Sequence, residues 1–129
     1  MSISRPSPLL CPFCGARLAR PGPMDLDSYE NSDGGLCVCG AVFALDYTGH
    51  NLGRAMLDAY CFAARSTDLA MDLNPDQDLD ETVVRGYDPY KHQVMPPKPA
   101  SYQGTGGLYF VRLRPEAAAR LAKLKEEES

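Results

Sequence analysis

Two tight cysteine pairs carry the chemistry of this chain, Cys11-Pro12-Phe13-Cys14-Gly15 and Cys37-Val38-Cys39-Gly40, with 22 residues between Cys14 and Cys37. Thiolates are soft donors, and four of them on two short turns suit a single soft divalent ion, for which Zn²⁺ is the usual occupant. Each pair ends in Gly, the residue that most easily supplies the positive φ needed where a turn aims two sulfurs at one point. Four thiols buried for packing alone are the competing reading, but two cysteine turns each closed by Gly rarely arise that way. The second pair has one residue between its cysteines, Val38, where two is usual, so it chelates through a tighter turn. Cys61 makes the count odd, which argues against a disulfide framework.

The other reactive side chains form no constellation. Cys61 sits in an apolar stretch beside Tyr60 and Phe62, where a buried, inert thiol is expected. His50 and His92 are the only histidines, and no spacing ties either of them to a nucleophile or to the cysteines. The acidic stretch Asp72 to Glu81 fails the calcium-loop template, because Gln77 stands where Gly is needed and Val83 where the bidentate Glu belongs. It reads instead as a solvated helix start, and as a possible docking surface for a basic partner. Gly104-Thr105-Gly106-Gly107 lacks the lysine and the helix of a phosphate loop. Pro96-Pro97-Lys98-Pro99 is a loose match to a proline-rich ligand.

These residues need elements to position them. Ala16-Arg17-Leu18 reads as the return strand of the first cysteine turn, broken by Arg20-Pro21-Gly22-Pro23. Asn31-Ser32-Asp33-Gly34-Gly35 is a turn signal. Leu36 to Cys39 rises into the second cysteine turn, and Ala41-Val42-Phe43-Ala44-Leu45 returns as a strand. Thr48 to Asn51 offers cap chemistry for a helix from about Leu52 to Arg65, whose apolar face is Leu52, Ala55, Met56, Ala59, Tyr60 and Ala63. Ser66 caps a short following turn. Asn74-Pro75 opens a further helix that runs to Arg85 and stops at Gly86. A Pro/Gly-rich arm leads to a strand at Leu108 to Leu113. Pro115 then starts a last helix with Ala118, Leu121, Ala122 and Leu124 on its apolar side.

Residues 11–45 resemble the zinc-ribbon family, the rubredoxin-like knuckle superfamily included. The resemblance implies short antiparallel strands around both knuckles and makes Cys11, Cys14, Cys37 and Cys39 the ligands of one closed, structural Zn²⁺. Cys₄ knuckles also hold redox iron, but rubredoxin-like proteins usually carry Cys-Pro-x-Cys-Gly at the second knuckle too. The departure at Cys37-Val38-Cys39-Gly40 leaves iron the less favoured metal. Such a resemblance fixes a metal site and not an activity, and the remaining two thirds of the chain resemble no family.

The expected fold class is therefore α+β: a zinc ribbon at 1–47, two or three helices packed on it at 48–88, and at 89–129 an extended arm with a terminal strand and helix. Nothing at the N-terminus resembles a signal peptide, and no apolar run approaches a membrane span, so a cytoplasmic protein is expected. The net charge of −4 is uneven, with eight acids against three bases in 51–88 and seven bases against four acids in 89–129. An acidic chain is a poor general binder of nucleic acid. The expected role is non-catalytic: a zinc-binding protein acting through protein–protein interaction, as an accessory or adaptor subunit of a larger assembly. A nucleic-acid-binding zinc ribbon and a rubredoxin-like electron carrier are the alternatives.

Overall fold

A computed structural model describes residues 7–24, 32–48, 51–95 and 106–128. In chain order they form β1 (Ser7–Pro8), β2 (Gly22–Met24), β3 (Ser32–Leu36), β4 (Val42–Asp46), α1 (Leu52–Ala64), α2 (Thr67–Ala70), α3 (Pro75–Asp78), β5 (Leu79–Asp88), β6 (Gln93–Val94), β7 (Gly106–Leu113) and α4 (Pro115–Glu128). The seven strands make one antiparallel sheet in the order β1-β6-β5-β7-β4-β3-β2. The α+β class holds, but the sheet is far larger than a ribbon of short strands, and it draws on every part of the chain. No helix of the described residues is long and apolar enough to cross a membrane.

The central strands are apolar on both faces, because both faces are covered. Val42 and Ala44 of β4 and Val111 of β7 join one core with α1, α2 and α4, through Ala55, Ala59, Phe62, Leu69 and Leu121. Phe43 and Leu45 of β4, with Leu108 and Phe110 of β7, point the other way. There they meet Leu9, Cys11, Leu18 and Cys37 of the cysteine turns. The rings of Phe43 and Phe110 lie 5.0 Å apart at that centre. Helices thus cover one face of the sheet and the cysteine turns cover the other.

Several expectations give way. The helix expected from Pro75 to Arg85 is one turn long and continues as the ten-residue strand β5. Asn74 does cap that turn, accepting from the Asp76 N–H at 3.0 Å with Pro75 behind it. The run Thr82-Val83-Val84 then favours extended backbone, since branching at Cβ restricts χ1 in a helix and packs well on a pleat. Of the turn expected at Asn31 to Gly35, Asn31 lies outside the described residues and the rest falls within β3, whose Gly35 leaves room for the ring of Phe43; a Cβ there would meet that ring at 2.5 Å. The start of α1 is held by Asp46 rather than by the Asn51 side chain: its carboxylate accepts from the Thr48 N–H and hydroxyl and from the Asn51 N–H. In α4 the buried residues are Ala117 and Leu121, with Leu124 partly covered, while Ala118 and Ala122 are exposed.

The expected arm supplies β6, and 96–105, including Pro96 to Pro99, lie outside the described residues. Gly86 sits at φ +79 where β5 shifts register against β7 between Arg85 and Tyr87. That extra residue brings Tyr87 onto the same side of the sheet as Val84, in the core beneath the cysteine turns.

Candidate metal centre

The first cysteine turn closes on itself. The Cys11 N–H donates to the Ala16 carbonyl at 2.9 Å, and the Gly15 N–H donates to the Cys11 carbonyl at 2.8 Å. Outside it, Leu10 and Arg17 bridge the two arms, and the Leu18 N–H donates to the Leu9 carbonyl at 3.1 Å. The second turn is the tip of the β3–β4 hairpin, just beyond the Leu36–Val42 pair. There the Cys37 N–H donates to the Ala41 carbonyl at 2.8 Å and the Gly40 N–H to the Cys37 carbonyl at 3.0 Å. Gly15 and Gly40 take φ +81 and +96 with nothing within 4 Å of either Cβ position, so conformation rather than crowding selects Gly at both turns.

These two hairpins bring Cys11, Cys14, Cys37 and Cys39 together, with all four Sγ atoms within 4.8 Å of one another. The sulfurs are nearest across the turns: Cys14 to Cys37 at 3.4 Å and Cys11 to Cys39 at 3.8 Å. All are free thiols. A tetrahedron with metal–sulfur bonds near 2.3 Å has edges of about 3.8 Å, so the cluster is already close to the size such a site requires. Four sulfurs with this spacing could hold a metal ion. Cys11 and Cys37 are anchored in the core, Cys39 is half-buried and Cys14 is exposed.

Burial raises the Cys11 thiol and pushes Cys37 up to about 12. Burial acts in the same direction on Cys39, but the Ala41 N–H and the other three sulfurs outweigh it and bring that thiol down to about 7. A metal takes the cysteines as thiolates. Binding it must displace the protons that the thiols hold, so uptake releases protons and weakens in acid.

Two side chains from distant sequence brace the first turn. The Arg112 guanidinium on β7 stacks over the Phe13 ring at 4.8 Å and reaches Asp80 at 3.8 Å. His92, in the β5–β6 turn at φ 54, links Tyr87 to the turn's outgoing arm. A carbonyl only accepts, so His92 Nε2–H donates to the Leu18 carbonyl at 2.8 Å, which leaves Nδ1 to accept from the Tyr87 hydroxyl at 2.8 Å. Nothing in the spacing of His92 or Arg112 signals this role, since Leu18 and His92 are 74 residues apart.

The remaining sequence candidates lie elsewhere. Cys61 is buried in α1 on the helical face, its thiol raised by burial and then by Asp58. His50 lies outside the described residues. The acidic stretch is largely tied into the fold rather than solvated. Asp78 accepts two hydrogen bonds from Arg120, Asp80 pairs with Arg112 and Arg114, and Glu81 accepts from the Tyr60 and Tyr109 hydroxyls. No protein-family model, curated protein or solved structure matches this chain.

Proposed function

We propose that this chain is a non-catalytic zinc-binding protein that works through protein–protein interaction, as an accessory or adaptor subunit of a larger assembly. The observation that carries the zinc reading is the four-sulfur cluster, whose nearest separations of 3.4 and 3.8 Å fit a tetrahedral Cys₄ site. Four thiolates fill a tetrahedron and leave no position for substrate, which is the pattern of a structural centre. Bound there, zinc supplies cross-linking free energy between the two hairpins. Zinc is preferred to iron because the Cys37-Val38-Cys39 spacer departs from the paired Cys-Pro-x-Cys-Gly of rubredoxin-like proteins.

The partner reading rests on the surface around the cysteine turns. Val38 is 95% exposed at the tip of the second turn, Leu36 beside it is 57% exposed and Leu10 on the first hairpin is 43% exposed. Apolar side chains held out by a rigid turn are the kind of anchors that protein interfaces bury. By contrast, Arg112, Arg114 and Arg120 are engaged with Asp78 and Asp80, which weakens the case for a nucleic-acid surface on the C-terminal strand and helix.

Elemental analysis of the purified chain is expected to give one zinc per molecule, and near zero after Cys11→Ser combined with Cys37→Ser. A red, iron-loaded protein would reverse the choice of metal. Affinity isolation from the native host should recover a stoichiometric partner with the wild type that Val38→Asp no longer retains. Recovery of the chain as a lone monomer in both cases would overturn the adaptor reading.

A further inference from the structure

The sheet edge formed by β1 and β6 stands beside the first cysteine hairpin and leaves a cleft of about 410 Å³ between them. Its walls include Ser7, Arg17, Leu18, Lys91, His92 and Gln93, and no acidic side chain lines it. Arg17 and Lys91, like Arg20, Arg65, Arg85 and Lys123, have no carboxylate partner among the described residues, and they are the two cations that line this cleft. The nearest turn acid, Asp88, uses Oδ1 to accept the Tyr90 and Lys91 backbone N–H groups, building the turn that carries Lys91.

The cations are also mounted on a braced frame. Arg17 belongs to the hairpin whose Leu18 carbonyl is held by His92, and Lys91 immediately precedes His92. The histidine is fixed in turn by Tyr87, which is fully buried. Both ring nitrogens are occupied, so His92 serves as wall and spacer rather than as a ligand. Both cations are exposed, so water solvates them in the free protein and a bound anion would take the place of that water. A guanidinium fork with an ammonium point charge suits the multiple oxygens of a phosphate.

We propose that this cleft binds a phosphate group, with Arg17 and Lys91 neutralising its charge and with the Ser7 hydroxyl and the Gln93 amide as neutral donors. Two cations match a phosphate dianion better than a carboxylate or a phosphodiester. Pro8, Leu9 and Leu18 give the group's carrier an apolar wall. The site shares no ligand with the cysteine cluster, so it stands or falls independently of the zinc reading.

The test is a ¹H–¹⁵N titration of the full, zinc-loaded chain with inorganic phosphate, with sodium chloride holding ionic strength constant. A parallel arm uses a single-stranded oligonucleotide. Saturable shifts at the amides of Ser7, Arg17, Leu18 and Lys91 to Gln93 are expected, while those of Cys37 to Gly40 stay in place. Both cations are exposed, so Arg17→Ala/Lys91→Ala should keep a folded spectrum yet bind phosphate about tenfold more weakly or worse. Shifts that never saturate, equal shifts with chloride, or unchanged affinity in the double variant would overturn the proposal. Saturation by the oligonucleotide and not by phosphate would overturn it as well, in favour of a phosphodiester surface.

Discussion

Residues near the cysteine cluster differ in whether chemistry or backbone conformation fixes their identity, and glycine shows the distinction. At Gly40, φ is +96 and the space around the missing Cβ is open. Gly40→Ala therefore meets no neighbour, but it forces an L-residue into backbone that costs about 1–3 kcal/mol. Gly53 in α1 is equally open but carries no positive φ, and there Ala is the better helix former by about 0.5–1 kcal/mol. Urea unfolding of the zinc-loaded protein should show the two Gly→Ala changes with opposite signs, the first accompanied by faster loss of metal to a chelator. Equal effects at both positions would mean that the second turn is not held in the conformation described. The cysteines and glycines were legible in the sequence because a knuckle is a local object, specified by four or five consecutive residues. His92 and Arg112 were not, because their partners Leu18 and Phe13 are neighbours only after the sheet has formed.

Among the elements, β5 shows how a strong local signal is overridden. Asn74-Pro75 opens a helix as read, yet Asp78 ends it after one turn. The carboxylate of Asp78 accepts the Asn74 N–H at 2.8 Å and both Arg120 nitrogens, so it ties α3 to α4 in the same place where β5 begins. Periodicity in 79–85 could serve either a helix or a strand; the open edge of β7 settled it, pairing from Leu79–Leu113 through Arg85–Gly107. α1 and the β4 and β7 strands were legible because long apolar patterns survive any tertiary arrangement, whereas the weak pattern of α4 left its face open between Ala117, which is buried, and Ala118 and Ala122, which are exposed. Arg120, then the Asn74 N–H, holds the Asp78 carboxyl below its ordinary value of 3.8. A carboxyl depressed in the folded state stabilises the protein at pH values above its unfolded value, and that contribution disappears as pH falls through 3.8 toward the folded value. Asp78→Asn should thus lower the unfolding free energy by a constant amount from pH 7 to about pH 5, with the gap to wild type closing at lower pH. Both proteins carry the same metal site, so its own acid sensitivity cancels in the difference. A gap that is independent of pH would show that Asp78 acts through shape and not charge.

Across the whole molecule, two cores share the strands that divide them. Val42 and Ala44 belong to the helical core and Phe43 and Leu45 to the core beneath the cysteine turns, so neither can loosen without moving β4. The charge halves of the sequence are likewise joined, the acids of 78–80 meeting the bases of 112–120 across β5, β7 and α4. The half-exposed pairs of Asp80 with Arg112 and Arg114 add little individually, about 0–1 kcal/mol each, so apart from the buried Asp78 carboxylate the cores and the cysteine cluster must carry most of the stability. A ribbon standing alone would melt alone when its metal was taken. Here the second knuckle is the tip of the β3–β4 hairpin, and β4 is bonded along its length to β7. With free zinc a thousandfold above its dissociation constant, the site adds about 4 kcal/mol, which in a domain of this size moves the melting temperature by roughly 10–20 °C. Chelation should accordingly lower the melting temperature by that order. Far-ultraviolet circular dichroism, which follows the helices, and near-ultraviolet signals from the Phe43–Phe110 core should still fall together in one transition. Helices that persist after the aromatic core has melted would mean that the sheet divides the molecule into two independent units, and an unmoved melting temperature would remove the metal from its structural role.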